Sequence, residues 1–418
     1  MTDARARVDA PWLSSGPVAR VLALLNGDGA EARVVGGAVR NALLGIPVNE
    51  FDIATTALPA EVIRRAKAAG IKSVPTGIAH GTVTLVVEAQ PFEVTTLRQD
   101  VETFGRKARV VFGTDWARDA ERRDFTINGL SVGTDGVVHD YVGGLSDIAA
   151  KRVRFIGDPK LRIAEDYLRI LRFFRIHAAY GTGEPDRAGY LACIGGSAGL
   201  AGLSAERMRM EMLKLMVAQG ATTAVVAMAD GGLLLPIFGG VAYTGAFAAM
   251  IAAEHALGLP PNAIRRLGAL AVALSEDARR LAARLRLTNN ETKALDSMGH
   301  RWWRMAGMDE ARARRRLYRL GAERYRDRLM LAWARDGGRA SSASWRDLAT
   351  LPDRWSAPKF PLKAADFVGR GIDAGPALGH VLGLAEDAWL AADFPLDAPA
   401  LEAIADQTIT RFKRDHRL

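Results

Sequence analysis

The chain reads as an α+β protein, a sheet-and-helix head followed by helices alone. Three observations predict this. Strand-like runs, among them Ala32 to Val35, Thr82 to Val87 and Phe92 to Leu97, fall in the N-terminal part. Beyond Tyr180 such alternation disappears and helical patterns follow one another. At 418 residues the chain is too long for one ordinary core, so two to four domains are expected.

In order, residues 1 to 33 predict a lead-in helix, Val18 to Leu25, ending near Gly27 and Gly29. Ala32 to Val35 is a short buried strand, followed by Gly36 and Gly37. Ala38 to Leu44 places Val39, Leu43 and Leu44 at helical spacing with Arg40 on another face, and Gly45 and Pro47 stop the helix. Glu50-Phe51-Asp52-Ile53 predicts a strand with Glu50 and Asp52 on one face and Phe51 and Ile53 toward a core. A rise of ~3.3 Å per residue puts the two carboxylates about 7 Å apart, close enough to share divalent ions. A pair of magnesium ions ~4 Å apart suits in-line displacement at phosphorus. A strand, two glycines and a helix start bring backbone N–H groups toward a bound anion. Each feature alone is an ordinary turn or a solvated strand edge; in this order they point to nucleotide chemistry.

With these residues in view, Val34 to Pro59 resembles the active-site signature of the class II nucleotidyltransferases of the polymerase beta superfamily. More narrowly it resembles the bacterial tRNA nucleotidyltransferases, or CCA-adding enzymes, and their poly(A) polymerase relatives. Asn41 stands where an Asp is common, and Glu50 where the first metal-binding Asp is expected; Asp52 matches. The resemblance implies a polymerase-beta-like head with a mixed sheet, then an all-α neck, body and tail. It divides the chain into a head at 1–150, a neck with the base-selecting helix at 151–220, a body at 221–340 and a tail at 341–418, the last two binding tRNA.

Further along, Pro59 to Ala69 predicts a helix with Pro in its first turn, and Ile71 to Val74 a short strand. Pro75 to Thr82 resembles the family's TG-x-x-HGT element, with His80 read as a backbone hydrogen-bonding residue. Thr82 to Val87 and Phe92 to Leu97 predict paired strands. Glu93 lies on the face opposite Phe92 and Val94, either as a third catalytic carboxylate accepting the 3′-hydroxyl proton or as a bystander. Gln99 to Glu121 predicts a long polar loop like the one that, in the family, goes with adding the terminal A. Arg122 to Asn128 matches the family's RRDFT-x-N element: arginines suit triphosphate oxygens and a carboxylate suits a ribose hydroxyl. Val132 to Val142 predicts a hairpin around Asp135-Gly136.

From Ile163 a helical pattern carries Leu168, Leu171, Phe174 and Ile176, with Asp166 and Arg169 one turn apart. On spacing alone these two form an ordinary intrahelical ion pair. The resemblance instead identifies Glu165, Asp166 and Arg169 as the family's E-D-x-x-R element, in which the Asp and Arg read the incoming base. C and A present an amine donor beside a ring-nitrogen acceptor, which a carboxylate and a guanidinium match; G and U do not. Leu203 to Val217 predicts a helix capped by Ser204, Thr288 to Glu291 a capping box, and Ser341 to Pro358 a loop or linker.

Composition sets bounds on partners. Cys193 is the single cysteine, so no intramolecular disulfide forms, in keeping with a cytoplasmic, reducing compartment. The charged N-terminus carries no apolar run, so no secretory signal is expected, and Gly231 to Ala253, broken by Pro236 and five glycines, predicts two short buried helices rather than a membrane span. Arg301 to Ala340 holds twelve arginines against five acidic residues, most of the net charge of +9. This segment is either a solvated helix face or a phosphate-rich partner's landing site.

The activity the resemblance implies is template-independent addition of CCA to the 3′ end of tRNA from CTP and ATP. Glu50, Asp52 and Glu93 would be catalytic, the first two binding Mg²⁺. Gly36, Gly37, Arg40, Arg123, Asp124, Asn128, Asp166, Arg169 and Arg172 would bind nucleotide. Arg312, Arg315, Arg316 and Arg319 would contact the acceptor and T arms of tRNA. The alternatives are a poly(A) polymerase and a catalytically weakened tRNA-binding paralogue.

Overall fold

The structure, a computed structural model, describes residues 6–104, 107–338 and 341–416, with side chains described outside 99–110 and 416. It divides into two units, Met1–Thr244 with Ala283–Arg286, and Gly245–Ala282 with Leu287–Leu418.

The first unit is built on nine strands: β1 (Ala32–Val35), β2 (Asp52–Thr55), β3 (Lys72–Gly77), β4 (Thr82–Val87), β5 (Gln90–Thr96), β6 (Arg98–Phe104), β7 (Lys107–Phe112), β8 (Ser131–Val132) and β9 (Val138–His139). Seven form one sheet in the order β3-β4-β5-β2-β1-β8-β9. β2 and β5 run parallel, and the other neighbours are antiparallel, so the sheet is mixed. Alternation sends Val34, Ile53, Val83, Leu85, Phe92 and Val94 into one core. Val21, Leu22 and Leu25 of the helix Gly16–Leu25 and Val62 and Ala66 of the helix Pro59–Ala68 seal it. The β8–β9 hairpin turns at Gly136, whose φ of +75° only glycine adopts easily; a Cβ there would also sit 2.7 Å from the Val8 carbonyl oxygen.

Three expectations change. β2 begins at Asp52, so Glu50 lies in the segment just before the strand. Among its described residues, Gln99 to Glu121 carries regular structure: β6 and β7 form a two-stranded ribbon and Trp116–Glu121 a helix capped by Asp115. The polar composition of this segment carries no strand signal, since a ribbon outside the main sheet needs no alternating apolar face. The helix expected from Ile163 onward is two helices, Pro159–Glu165 and Leu168–Tyr180. Asp166 between them is extended, at φ −154° and ψ 105°. Helices Arg187–Gly195, Ala205–Met216, Ala221–Asp230 and Leu234–Phe238 complete the unit's helical part.

The second unit is helical among its described residues. The helix Thr244–Ala256 and the preceding Leu234–Phe238 are the two short helices expected from the uncharged stretch. Among the described residues no helix is long and apolar enough to cross a membrane. One core gathers Leu317, Tyr325, Leu329, Trp345 and Leu351, a second Phe367, Val381, Trp389, Ile404 and Phe412. Buried Glu254 accepts from Arg265 at 3.2 Å and Arg266 at 2.6 Å, and Arg265 also donates to Asp327 at 2.6 Å. The capping box is present, with Glu291 N–H donating to Thr288 Oγ1 at 3.3 Å. Ser341 to Pro358, expected as a linker, contains the helix Ser342–Arg354. Ser341 caps it, and Trp345, Leu348 and Ala349 bury one face; Pro352 sits in the last turn.

Candidate active site

The sheet face opposite the main core carries the acidic residues. Asp52 and Glu93 are partners in the parallel β2–β5 register, so their side chains leave the sheet on the same face. Glu50 and Asp52 both line a cavity of about 530 Å³. Glu93 stands beside it, outside the lining residues. Burial lifts the Asp52 carboxyl above its ordinary range; Arg123 pulls it down, and Glu50 pushes it up again. Two hard oxygen donors, one of them a carboxylate whose charge burial disfavours, suit a divalent cation such as magnesium. Among the described residues no three His, Cys, Asp or Glu side chains gather closely enough to hold a metal ion alone. A cation held there would take its other coordination positions from water and ligand oxygens, as is usual for magnesium with phosphates.

Across the cavity the wall is cationic. Seven arginines and Lys214 line it against four carboxylates. Gly36 has φ +73°, and a Cβ on it would lie 3.3 Å from Arg123 Nη1, so glycine admits this guanidinium beside the turn. Gly36 N–H does not face an anion: it donates to the Leu130 carbonyl at 3.0 Å. The helix Gly37–Leu43 follows, and its first-turn amides have no intrahelical acceptor. Arg40 on that helix is buried and bound to neutral groups. It donates to Asn41 Oδ1 at 2.9 and 3.1 Å, to Tyr180 Oη at 2.7 Å and to Asn128 Oδ1. Its guanidinium carbon lies 3.7 Å from the Tyr180 ring centre. Burial pulls its pKa below the usual guanidinium range, against Tyr180 and Asp124.

The RRDFT segment is held by carboxylates on both sides. Asp119, buried on the helix Trp116–Glu121, takes Arg122 at 2.6 Å and Arg123 at 3.3 Å. Asp124 accepts from Arg172 at 2.8 and 2.5 Å, from Asn128 Nδ2 at 3.1 Å and from Phe125 N–H at 2.9 Å. Burial would raise the Asp124 carboxyl, but Arg172 and these hydrogen bonds hold it below its ordinary value. Asn128 thereby links Arg40 to Asp124.

Asp166 and Arg169 line the same cavity as Asp52. They do not pair with each other, because the break at Asp166 turns its side chain out of helical register. Asp166 caps the next helix, accepting from Leu168 N–H at 3.1 Å, and takes Arg207 on both oxygens at 3.2 and 2.6 Å. Arg169 donates to the Arg162 carbonyl at 2.8 Å and pairs with Glu165.

Arg207, Asp119, Arg175 and Tyr180 escaped the sequence reading. Asp119 left a signal, three and four residues before two arginines on helical spacing. Arg207 left none, lying 41 residues from its partner. His80 lies on the 3-10 turn Ile78–His80, where its backbone carbonyl accepts from Arg98.

In the second unit the helix Glu310–Leu320 buries Ala313 and Leu317. Arg312, Arg315, Arg316 and Arg319 share another face, and with Arg304 they line a cavity of about 580 Å³. Arg319 pairs with Asp387.

Residues 32–154 match the poly A polymerase head domain. A mouse (Mus musculus) protein named CCA tRNA nucleotidyltransferase 1, mitochondrial, is 32% identical over 387 residues, 90% of this chain and 87% of that protein. The CCA-adding enzyme of Limosilactobacillus fermentum is 32% identical over 377 residues, 88% of this chain and 90% of its own. The solved structure of the Bacillus stearothermophilus CCA-adding enzyme in complex with CTP has the same fold, at a TM-score of 0.73 and 24% identity, covering 97% of this chain and 100% of that one.

Proposed function

This chain belongs to the CCA tRNA nucleotidyltransferases, and from that premise we propose how its residues carry out the reaction. The enzyme adds C, C and A to the 3′ end of tRNA from CTP and ATP with release of pyrophosphate, and no nucleic-acid template is involved. The observation that carries the assignment of roles is the shared cavity: Asp52, the cationic wall, Asp166 and Arg169 face one space. The head at 1–150, the neck at 151–220, the body at 221–340 and the tail at 341–418 follow from the same assignment. The lone buried cysteine fits a cytoplasmic site of action.

Enzymes of this family generally use divalent metals, and here Asp52 and Glu50 would hold Mg²⁺. Bound there, the metal supplies charge neutralisation at the α-phosphate and lowers the pKa of the attacking hydroxyl. The tRNA 3′-oxygen bonds to the α-phosphorus, and the bond from that phosphorus to the bridging oxygen of the leaving pyrophosphate breaks. In this reading Glu93, which leaves the same sheet face as Asp52, takes the hydroxyl proton. Arg122 and Arg123, braced by Asp119, receive triphosphate oxygens. Asp124 and Asn128 receive the ribose, and Arg172 fixes Asp124. Arg40 joins the glycine turn to Asn128 and Tyr180, so it acts mainly by positioning.

Asp166 selects the base. Leu168 N–H and Arg207 occupy three of its roughly four acceptor directions, leaving one for the exocyclic amine of C or A. A carbonyl of G or U brought there meets a carboxylate with no donor between them. Arg312, Arg315, Arg316 and Arg319 would meet tRNA phosphates, reading shape.

Incubation of purified protein with tRNA lacking its 3′ end, labelled CTP and ATP tests this reading. The expected product is three nucleotides longer and stops. No incorporation of C refutes it; a long A-only tail returns the poly(A) alternative, and inactivity in both wild type and Glu50→Asp returns the weakened paralogue.

A further inference from the structure

Outside the nucleotide cavity, the exposed ring of Trp303 is next in the chain to Arg304, one of several arginines with no carboxylate partner among the described residues. Trp302–Met305 form a single 3-10 turn in the second unit. Met305 is buried, and Trp302 donates its Nε1–H to the Ala273 carbonyl at 2.9 Å. The Arg335 guanidinium carbon lies 5.0 Å from the Trp302 ring centre. These anchors fix the turn and leave Trp303 and Arg304 outward. Trp303 is 48% exposed, edge-on to Trp302 with ring centres 5.9 Å apart.

Single exposed apolar side chains are common on protein surfaces. The surroundings set this one apart. Arg304 lines the arginine cavity of the helix Glu310–Leu320. Arg304, Arg312, Arg315 and Arg316 have no carboxylate partner among the described residues. Trp303 itself lines a separate cavity, in which Arg279 and Arg301 are balanced by Glu276 and Asp296. Phosphates therefore favour the Arg304 side. A rigid π-face next to a phosphate-seeking groove is the arrangement that binds RNA by stacking, independently of sequence. Sequence tolerance is what an enzyme acting on every tRNA requires.

We propose that Trp303 is a base-stacking contact for tRNA, its ring covering one base while the neighbouring phosphates run over Arg304 and the arginine face. This rests on the tRNA reading above and adds a contact to it. The test compares wild type with Trp303→Ala, Trp303→Phe and Trp303→Leu, measuring KM for tRNA lacking CCA at several salt concentrations, and KM for CTP on the same preparations. Trp303→Ala is expected to raise KM for tRNA roughly 5- to 100-fold, the size of one lost base–aromatic stack. Trp303→Phe restores most of it and Trp303→Leu does not. The salt slope stays at the wild-type value, since no phosphate contact is removed. An unchanged KM in Trp303→Ala, or rescue by Leu equal to Phe, overturns the proposal. Failure of the wild type to act on tRNA strikes the proposed function instead.

Discussion

Arg207→Ala tests the base-selection geometry most directly. Arg207 holds Asp166 by two charge-assisted hydrogen bonds, at 2.6 and 3.2 Å. A hydrogen bond to a charged group contributes about 1.5–3 kcal/mol. The side chains are 23% and 31% exposed, so solvent screening reduces this to roughly 1–2 kcal/mol. Without Arg207 the carboxylate keeps only the Leu168 N–H contact, and on the proposed reading its open acceptor direction no longer rejects a carbonyl. If that energy is spent on discrimination, the ratio of kcat/KM for CTP to that for UTP falls about 5- to 30-fold. Single-turnover incorporation on tRNA lacking CCA measures both constants. Arg207→Lys keeps one contact and falls between. A CTP/UTP ratio within about twofold of wild type, with both nucleotides slowed equally, would refute the reasoning and reduce Arg207 to a brace between neck helices.

Three further outcomes follow from the same geometry. Asp52→Asn lowers activity by more than about 100-fold. Because the native pKa of Asp52 is raised, its charge is unfavourable in the fold, so the variant's Tm at pH 7, read by calorimetry, equals or exceeds that of wild type. Asp124 has the opposite sign: its lowered native pKa gives stability that is complete above the unfolded value of ~3.9 and lost as pH falls through the native value. Asp124→Asn therefore costs about 2–3 kcal/mol at pH 6, less than a fully buried pair because Arg172 is 34% exposed, and urea unfolding shows the difference shrinking below about pH 4. Arg315→Ala and Arg316→Ala each raise KM for tRNA and reduce the salt slope by about one, read from KM at graded salt.

Much of the head was legible because its signals are local. Ala32–Val35, Thr82–Val87 and the Asp135-Gly136 turn depend on alternation and turn chemistry within a few residues, and the structure keeps them. What was missed depends on partners far along the chain. Nothing between Ile163 and Phe174 marks a break, since no glycine or proline interrupts the apolar period. The extended conformation at Asp166 is held by Arg207, which periodicity does not see. Ser341 to Pro358 was misread for the converse reason: Ser and Pro suggested a linker, while Trp345 and Leu348 gave too short a pattern to outweigh them. At the site, residue types were readable and pairings were not. Asp166 and Arg169 line the cavity that Asp52 lines, yet each is bound to a different neighbour.

Asp119 grips Arg122 and Arg123 with a single carboxylate. One carboxylate thus orients two guanidinium groups on the cavity wall. The rotamer freedom of two long side chains has already been surrendered during folding, so an arriving polyanion finds its receptors standing still. On the proposed reading, exchange of one triphosphate for the next then needs no reshaping of this corner of the protein.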